Sequence, residues 1–386
     1  MNLSCMQENL AKGLGIVGRA VATRTTLPIT NNVLMSTDGG RLKLSATNLE
    51  IALSYWIGAN VETEGAITVP ARLLTDFVNT LPGDKVKIDL NGKVIHLICY
   101  REATETSGYK TLNSAKINGV DADDFPPIPK IADGLNARID AEVLQQAISQ
   151  VVFAAATEDT RPVLTGVHAE FEGSKLTLAA ADGFRLAVYE ASLLSPLEGK
   201  TGIIIPAKAL SELSRLLSEQ EESVEITVSP TKSQILFRLK NAELVSQLIQ
   251  GTFPNYSQLI PQGYTSRSVV NTSEFLKATR TASIFARDAS GIIRLETTPG
   301  GDVTAGKMTI KARAEEVGEN EGDIDATVKG EAAKIAFNSK YLTDVLSVLK
   351  ESQVALEVTT PSSPGLFRPV GSENYKHVVM PMFVQW

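Results

Sequence analysis

Gly13 to Gly18 read Gly-Leu-Gly-Ile-Val-Gly, with Asp38 twenty positions further on. In a dinucleotide site, the amides of such a glycine-rich turn meet a pyrophosphate and a later acid holds the ribose. That chemistry needs a buried strand just before Gly13, and the preceding NLSCMQENLAK offers none. The segment therefore reads as helix, its glycines admitted for close packing although each costs about 1 kcal/mol. His96, His168 and His377 stand singly in strand-like runs, with no second ligand at helical or strand spacing, and read as strand-face side chains. The acidic run EEVGENEGDID, Glu315 to Asp325, lacks the alternating oxygen spacing of a calcium loop. It reads as a solvated turn between strands, with an electrostatic contact as the alternative. No Walker lysine, G-x-S-x-G elbow or Cys-x-x-Cys occurs. Neither a metal nor a cofactor is expected, and no catalytic residue is assigned.

The totals narrow the classes further. The chain has 386 residues, 37 basic and 44 acidic, for a net charge of −7, which argues against indiscriminate coating of nucleic acid. No apolar run approaches the roughly 18 residues of a membrane span. The N-terminus lacks a basic leader and carries Glu8, so no secretory signal is expected. Two cysteines, Cys5 and Cys99, suit a reducing cytoplasm.

The elements that would position any site are written three times. VPARLLTDFVNTL (Val69 to Leu81), IPAKALSELSRLL (Ile205 to Leu217) and FNSKYLTDVLSVL (Phe337 to Leu349) are displaced by 136 and then 132 positions. Each carries apolar residues at helical spacing, and an acid recurs at the matching place: Asp76, Glu212 and Asp344. Alternating strands flank each one: Leu42–Ala46 and Val86–Leu90, Leu176–Ala180 and Val224–Val228, Met308–Ala312 and Val354–Val358. A longer amphipathic helix opens the second copy (AEVLQQAISQVVFAAA) and the third (SEFLKATRTASIFA), the latter with Phe275, Leu276, Thr279 and Ile284 on one face. Pro-rich seams lie at Asp123 to Pro129 and Thr252 to Pro261. The expected fold class is α+β: three similar domains, 1–128, 129–261 and 262–386, each with two helices packed on antiparallel sheet.

Three stretches resemble the beta subunit of bacterial DNA polymerase III, the sliding-clamp family. They are ADGFRLAVYE (Ala181 to Glu190), TRTTLPITNNVL (Thr23 to Leu34) and HVVMPM (His377 to Met382). The resemblance covers the whole chain. It implies a non-enzymatic processivity factor of DNA replication. Two copies would join head to tail as a homodimer, forming a ring of six domains around duplex DNA. The helices would line the hole and the sheets would form the wall. The ring would tether the DNA polymerase III catalytic subunit, be opened by a clamp loader, and serve other polymerases and repair proteins.

A sliding surface should offer phosphates diffuse cations without reading bases. Lys12 and Arg19 are seven apart, nearly two helical turns, and Arg24 follows; Lys208 and Arg215 repeat that spacing. Lys277, Arg280 and Arg287 fall within about 80° on one helix. Arg72, Arg161 and Lys340 complete the cations, whereas the long helix of the second copy offers only Gln145, Gln146, Ser149 and Gln150. For the ring contact, the resemblance implies Tyr109 and Leu112, with Arg101 and Lys110 nearby, against Ile284, Phe285, Glu315 and Glu316. For partner peptides it implies a groove of Leu164, Gly183, Phe184, Arg185, Leu186, Pro254, Gln258, Leu259, Val378, Met380, Pro381 and Met382. Phe184 departs from the family's His, and Gln258 and Phe383 each stand where the family has Arg. The rim should thus be more apolar and favour peptides with weaker acidic flanks. Trp386, beyond the family's usual end, is expected to fold over the empty groove. Two rivals stay open: an enzyme with a nucleotide cofactor at Gly13–Gly18, and a monomeric repeat scaffold that binds only proteins.

Overall fold

A computed structural model describes residues 1–22, 26–102, 108–158, 160–286, 291–301, 305–316 and 318–386. The described residues include six α-helices: α1 Gln7–Val17, α2 Ala71–Thr80, α3 Ala141–Val151, α4 Ala207–Leu217, α5 Thr272–Ala286 and α6 Ser339–Val348. The apolar spacing read in each repeat becomes its buried face, as with Leu74 and Val78 of α2, Leu210, Leu213 and Leu217 at α4, and Leu342, Val345 and Leu346 of α6. Short side chains start three of the helices. Asp140 Oδ1 accepts the Glu142 amide at 2.9 Å, Asn271 Oδ1 the Glu274 amide at 3.1 Å, and Asn338 Oδ1 the Lys340 amide at 2.9 Å. Each satisfies a first-turn donor that has no partner inside the helix.

The chain divides into two compact units, one of Met1–Glu142 with Arg215–Leu248, the other of Val143–Ser214 with Ile249–Trp386. The first holds a five-stranded and an eight-stranded sheet, the second a ten-stranded one, and every strand pair is antiparallel. In the first unit, Ala242–Gln247 pairs with Ile51–Gly58, Leu244 opposite Leu53, which joins strands of the first and second repeats into one sheet. In the second unit, Arg185–Pro206 pairs with Tyr375–Val379, Leu186 opposite Val378, which does the same for the second and third repeats. Alternation places Leu244, Leu53, Leu186 and Val378 in the core.

Several expectations need correction. A strand does precede the first helix: Asn2–Met6, with Leu3 and Cys5 buried, pairs with Lys85–Asn91. It is only five residues long, with just two buried side chains to mark its alternation. The glycines still make no dinucleotide turn, because Gly13 and Gly15 lie within α1 and Gly18 follows its end. The acidic run is mostly strand: Gly318–Gly330 pairs with Lys307–Ala314, and its carboxylates serve cross-strand contacts such as Asp323 to Lys307 at 2.7 Å. Ile284 leaves the apolar face of α5 and is 59% exposed. The histidines do lie on strands, His377 with no exposure at all. No described helix is long and apolar enough to cross a membrane.

Candidate functional site

In the first unit, α1 and the segment after α4 enclose a cleft of about 350 Å³ lined by Lys12, Arg19, Tyr55, Arg215, Glu219 and Lys240. Three predicted cations, two from the first repeat and one from the second, thus converge. They do not present a bare positive surface, because Lys12 pairs with Glu219 and Lys240 Nζ lies 2.8 Å from Glu222. The hydrogen bond to Glu219 raises the Lys12 pKa above the ordinary lysine value, so the ammonium is fully charged at neutral pH. Arg72 is exposed and stands 3.8 Å from Asp76. Arg24 and Arg287 lie outside the described residues.

The remaining cations belong to the second unit. Lys208, Lys277 and Arg280 are exposed on their helices, and Arg280 donates to the Ser347 hydroxyl at 3.3 Å. Two of the α3 glutamines are engaged by hydrogen bonds: Gln150 Nε2 donates to the Val348 carbonyl at 3.1 Å, and Gln145 Nε2 to that of Ser214 at 3.4 Å. Arg161 and Lys340 line a cavity of about 500 Å³ with Leu164, Phe184, Arg185 and Tyr341.

That cavity shares Gly183 and Arg185 with a larger apolar cleft of about 800 Å³. Of the predicted groove residues, Gly183, Arg185, Leu186, Gln258, Leu259, Val378 and Met380 line the larger cleft, and Leu164 and Phe184 the smaller cavity. Behind the larger cleft, Leu186 and Val378 pack with Ala179, Val188 and Leu366, with Tyr256 and Ile260 against them. Leu259, Phe184 and Met380 are 56%, 61% and 43% exposed, so the cleft mouth is apolar and open to solvent. An apolar concavity with few polar groups is what a short hydrophobic segment requires. Pro254, Pro381 and Met382 line neither cavity. Pro254 is exposed next to Phe253, which stacks on His168 at 5.4 Å, and the Met382 amide donates to the Ala336 carbonyl at 2.8 Å. Trp386 is not over the cleft: Lys334 Nζ stands 5.5 Å from its ring, and the Gln385 carbonyl accepts from Arg294 at 3.4 Å.

Sequence reasoning missed part of both walls. Tyr264, Thr265, Thr359, Ser363 and Pro364 line the larger cleft and sit in irregular segments or turns, where no periodicity marks them. Asp344 was visible only as the recurrent acid of the short helices, and here its carboxylate meets Arg185 at 2.5 Å. Of the residues expected at a ring contact, Tyr109 is 61% exposed, Glu315 and Glu316 are exposed, and Leu112 and Phe285 are half-buried. Arg101 is already engaged by Asp84, through Nε at 3.0 Å and Nη2 at 2.8 Å. Among the described residues no group of His, Cys, Asp or Glu is arranged to hold a metal ion.

Repeated helix pairs on antiparallel sheets, with cations on helix faces and an apolar cleft beside the last strand, are the features of the DNA clamp class. Three family models match in succession: the N-terminal domain of the DNA polymerase III beta subunit over residues 1–129, its central domain over 138–255 and its C-terminal domain over 257–383. A beta sliding clamp from a Synechocystis species is 33% identical, with 99% of each sequence covered. The crystal structure of the Bacillus subtilis DNA polymerase sliding clamp superposes with a TM-score of 0.90 at 29% identity over the whole of both chains. So does that of the Pseudomonas aeruginosa clamp bound to griselimycin, with the same score and identity. The chain belongs to the DNA polymerase III beta subunit family, the bacterial sliding clamps. Members are accessory subunits and carry no catalysis of their own.

Proposed function

We propose that two copies of this chain close head to tail into a ring around duplex DNA and tether the DNA polymerase III catalytic subunit to its template. The observation that carries this reading is the end-to-end succession of three beta-subunit domains. Repetition supplies matching edges for a closed ring and a repeated inner face for DNA. The proposed domain limits are 1–128, 129–261 and 262–386, and the proposed site of action is the cytoplasm. Lys12, Arg19, Arg24, Arg72, Arg161, Lys208, Arg215, Lys277, Arg280 and Arg287 are the proposed phosphate contacts. Tyr109 and Leu112 of one copy, with Arg101 and Lys110 nearby, would meet Ile284, Phe285, Glu315 and Glu316 of the other, these opposite charges setting register.

The larger cleft and its neighbour are the proposed receptor for short apolar peptides of the catalytic subunit, the clamp loader, other polymerases and repair proteins. Met380 suits such a site, since a flexible thioether repacks around different ligands. With Phe184 and Gln258 at the rim, peptides with weak acidic flanks fit best.

A topological experiment tests the ring. The protein is loaded by its clamp loader and ATP onto nicked circular plasmid, and the DNA is then cut once. Retention on the circle with loss from the linear form is expected. Equal retention on both forms would refute encirclement.

A further inference from the structure

We infer that Asp344, on α6, is a positioning residue for the peptide cleft: through Arg185 it fixes the turn that both cavities share. The inference rests on the reading of that cleft as a peptide receptor. Arg185 is 8% exposed, yet its guanidinium is held from every side. In its plane, Nε donates to Asp182 Oδ2 at 2.9 Å, Nη1 to Asp344 Oδ2 at 2.5 Å, and Nη2 to the Phe153 carbonyl at 2.7 Å. The guanidinium carbon also lies over two aromatic rings, 4.6 Å from the centre of Tyr341 and 5.3 Å from that of Phe153.

The arrangement reaches the cleft through the backbone. Asp182 Oδ1, on the carboxylate that Arg185 grips, accepts the amides of Phe184 at 2.9 Å and Arg185 at 3.1 Å. These bonds shape a turn that also needs Gly183 at φ +95°, where a side chain would be strained. The carbonyl of Phe184 then accepts the Met380 amide at 2.8 Å. Asp344 is therefore tied, link by link, to Gly183, Phe184 and Met380, although it lines neither cavity. Because two carboxylates already neutralise Arg185, its role is to hold the wall rather than to offer a free cation to an acidic peptide. A buried charge left with one fewer partner relaxes strongly, so losing Asp344 should loosen the turn.

The test uses the full-length dimer and a fluorescein-labelled peptide of the polymerase III catalytic subunit, read by fluorescence polarisation. Asp344→Asn should weaken binding about tenfold, mainly through faster release. Amide exchange should accelerate at Phe184 and Met380, while dimer mass stays the same. Asp323→Asn, which breaks the exposed pair with Lys307 in the same unit, should leave affinity unchanged. Unaltered affinity in Asp344→Asn, with the original chain binding normally, would overturn the inference alone. No binding by the original chain would overturn the cleft reading and this inference with it. A measurement that needs no variant is proton exchange at Arg185 Nη1, the donor to Asp344, in the original chain, by arginine-selective ¹⁵N labelling. Slow exchange is expected, and rapid exchange would overturn the assignment.

Discussion

The Nδ1 atom of His377 lies 3.2 Å from the Tyr375 hydroxyl on a strand face closed to solvent. Nε2 of the same ring has no hydrogen-bond partner among the described residues, and Phe153 stacks on it at 5.5 Å. Burial, and secondarily the charge of Arg185, push the His377 pKa down to about 3 from 6.5. The folded state therefore keeps the ring neutral, whereas the unfolded chain takes up a proton below pH 6.5. Stability from this residue is complete above that pH and drains away as pH falls toward 3. Between pH 6.5 and 5 the loss should be about 1.5–2 kcal/mol. Denaturant titrations should show that extra loss in the original chain and its absence in His377→Phe. The lowered pKa of His168 acts in the same direction in both proteins and cancels in the difference.

The glycines of α1 are predicted to respond in opposite ways to alanine. A Cβ on Gly13 would stand 2.9 Å from the Leu44 Cδ1 and 3.3 Å from the Tyr55 ring, whereas one on Gly15 would meet nothing within 4 Å. Leu44 is wholly buried, so its methyl has little room to yield. Overpacking costs about 1–3 kcal/mol, against a helix-propensity gain of about 1 kcal/mol. Gly15→Ala should therefore raise the melting midpoint by a few degrees, and Gly13→Ala should leave it unchanged or lower it. A midpoint raised equally by both would show that Leu44 and Tyr55 give way.

Much of this molecule is legible in its sequence because repetition supplies a second and third reading of every element. The buried face of the short helices is unambiguous for that reason, since Leu74, Leu210 and Leu342 occupy equivalent buried positions in three copies. Reading fails where the local pattern is weak, even for an element that recurs before the long helix of each repeat. Asn2–Met6 is too short for alternation to identify it, and only pairing with Lys85–Asn91 makes it a strand. The cleft wall at Thr359 and Ser363 comes from a turn, whose placement depends on strands distant in sequence. Asp344 repeats as an acid, but only tertiary packing gives it Arg185 as a partner.

The segment after the last strand carries two methionines that look equivalent in the sequence. Met380 lines the cleft at 43% exposure, whereas Met382 lines neither cavity and is held by its amide on Ala336. Met380→Ala should weaken a bound polymerase peptide about tenfold, the loss expected from about 1.5 kcal/mol of apolar contact. Met382→Ala should change affinity by less than about twofold. Equal losses in the two variants, measured by peptide polarisation with dimer mass as control, would place Met382 in the binding surface after all.

For DNA, the pairing of Lys12 with Glu219 gives the first-unit cleft an adjustable charge. Each cation that neutralises a phosphate contributes about 0.9 to the slope of log affinity against log salt. Arg19→Gln should flatten that slope by about 1 and weaken binding uniformly across sequences. Lys12→Gln should do less, because Glu219 already competes for its ammonium. Glu219→Gln should do the reverse, releasing Lys12 to the phosphates, tightening binding and steepening the slope. Equilibrium binding of the unloaded protein to a short primed duplex, measured over a range of salt, would register these changes. If Glu219→Gln left both affinity and slope untouched, the cleft would lie off the path of the DNA.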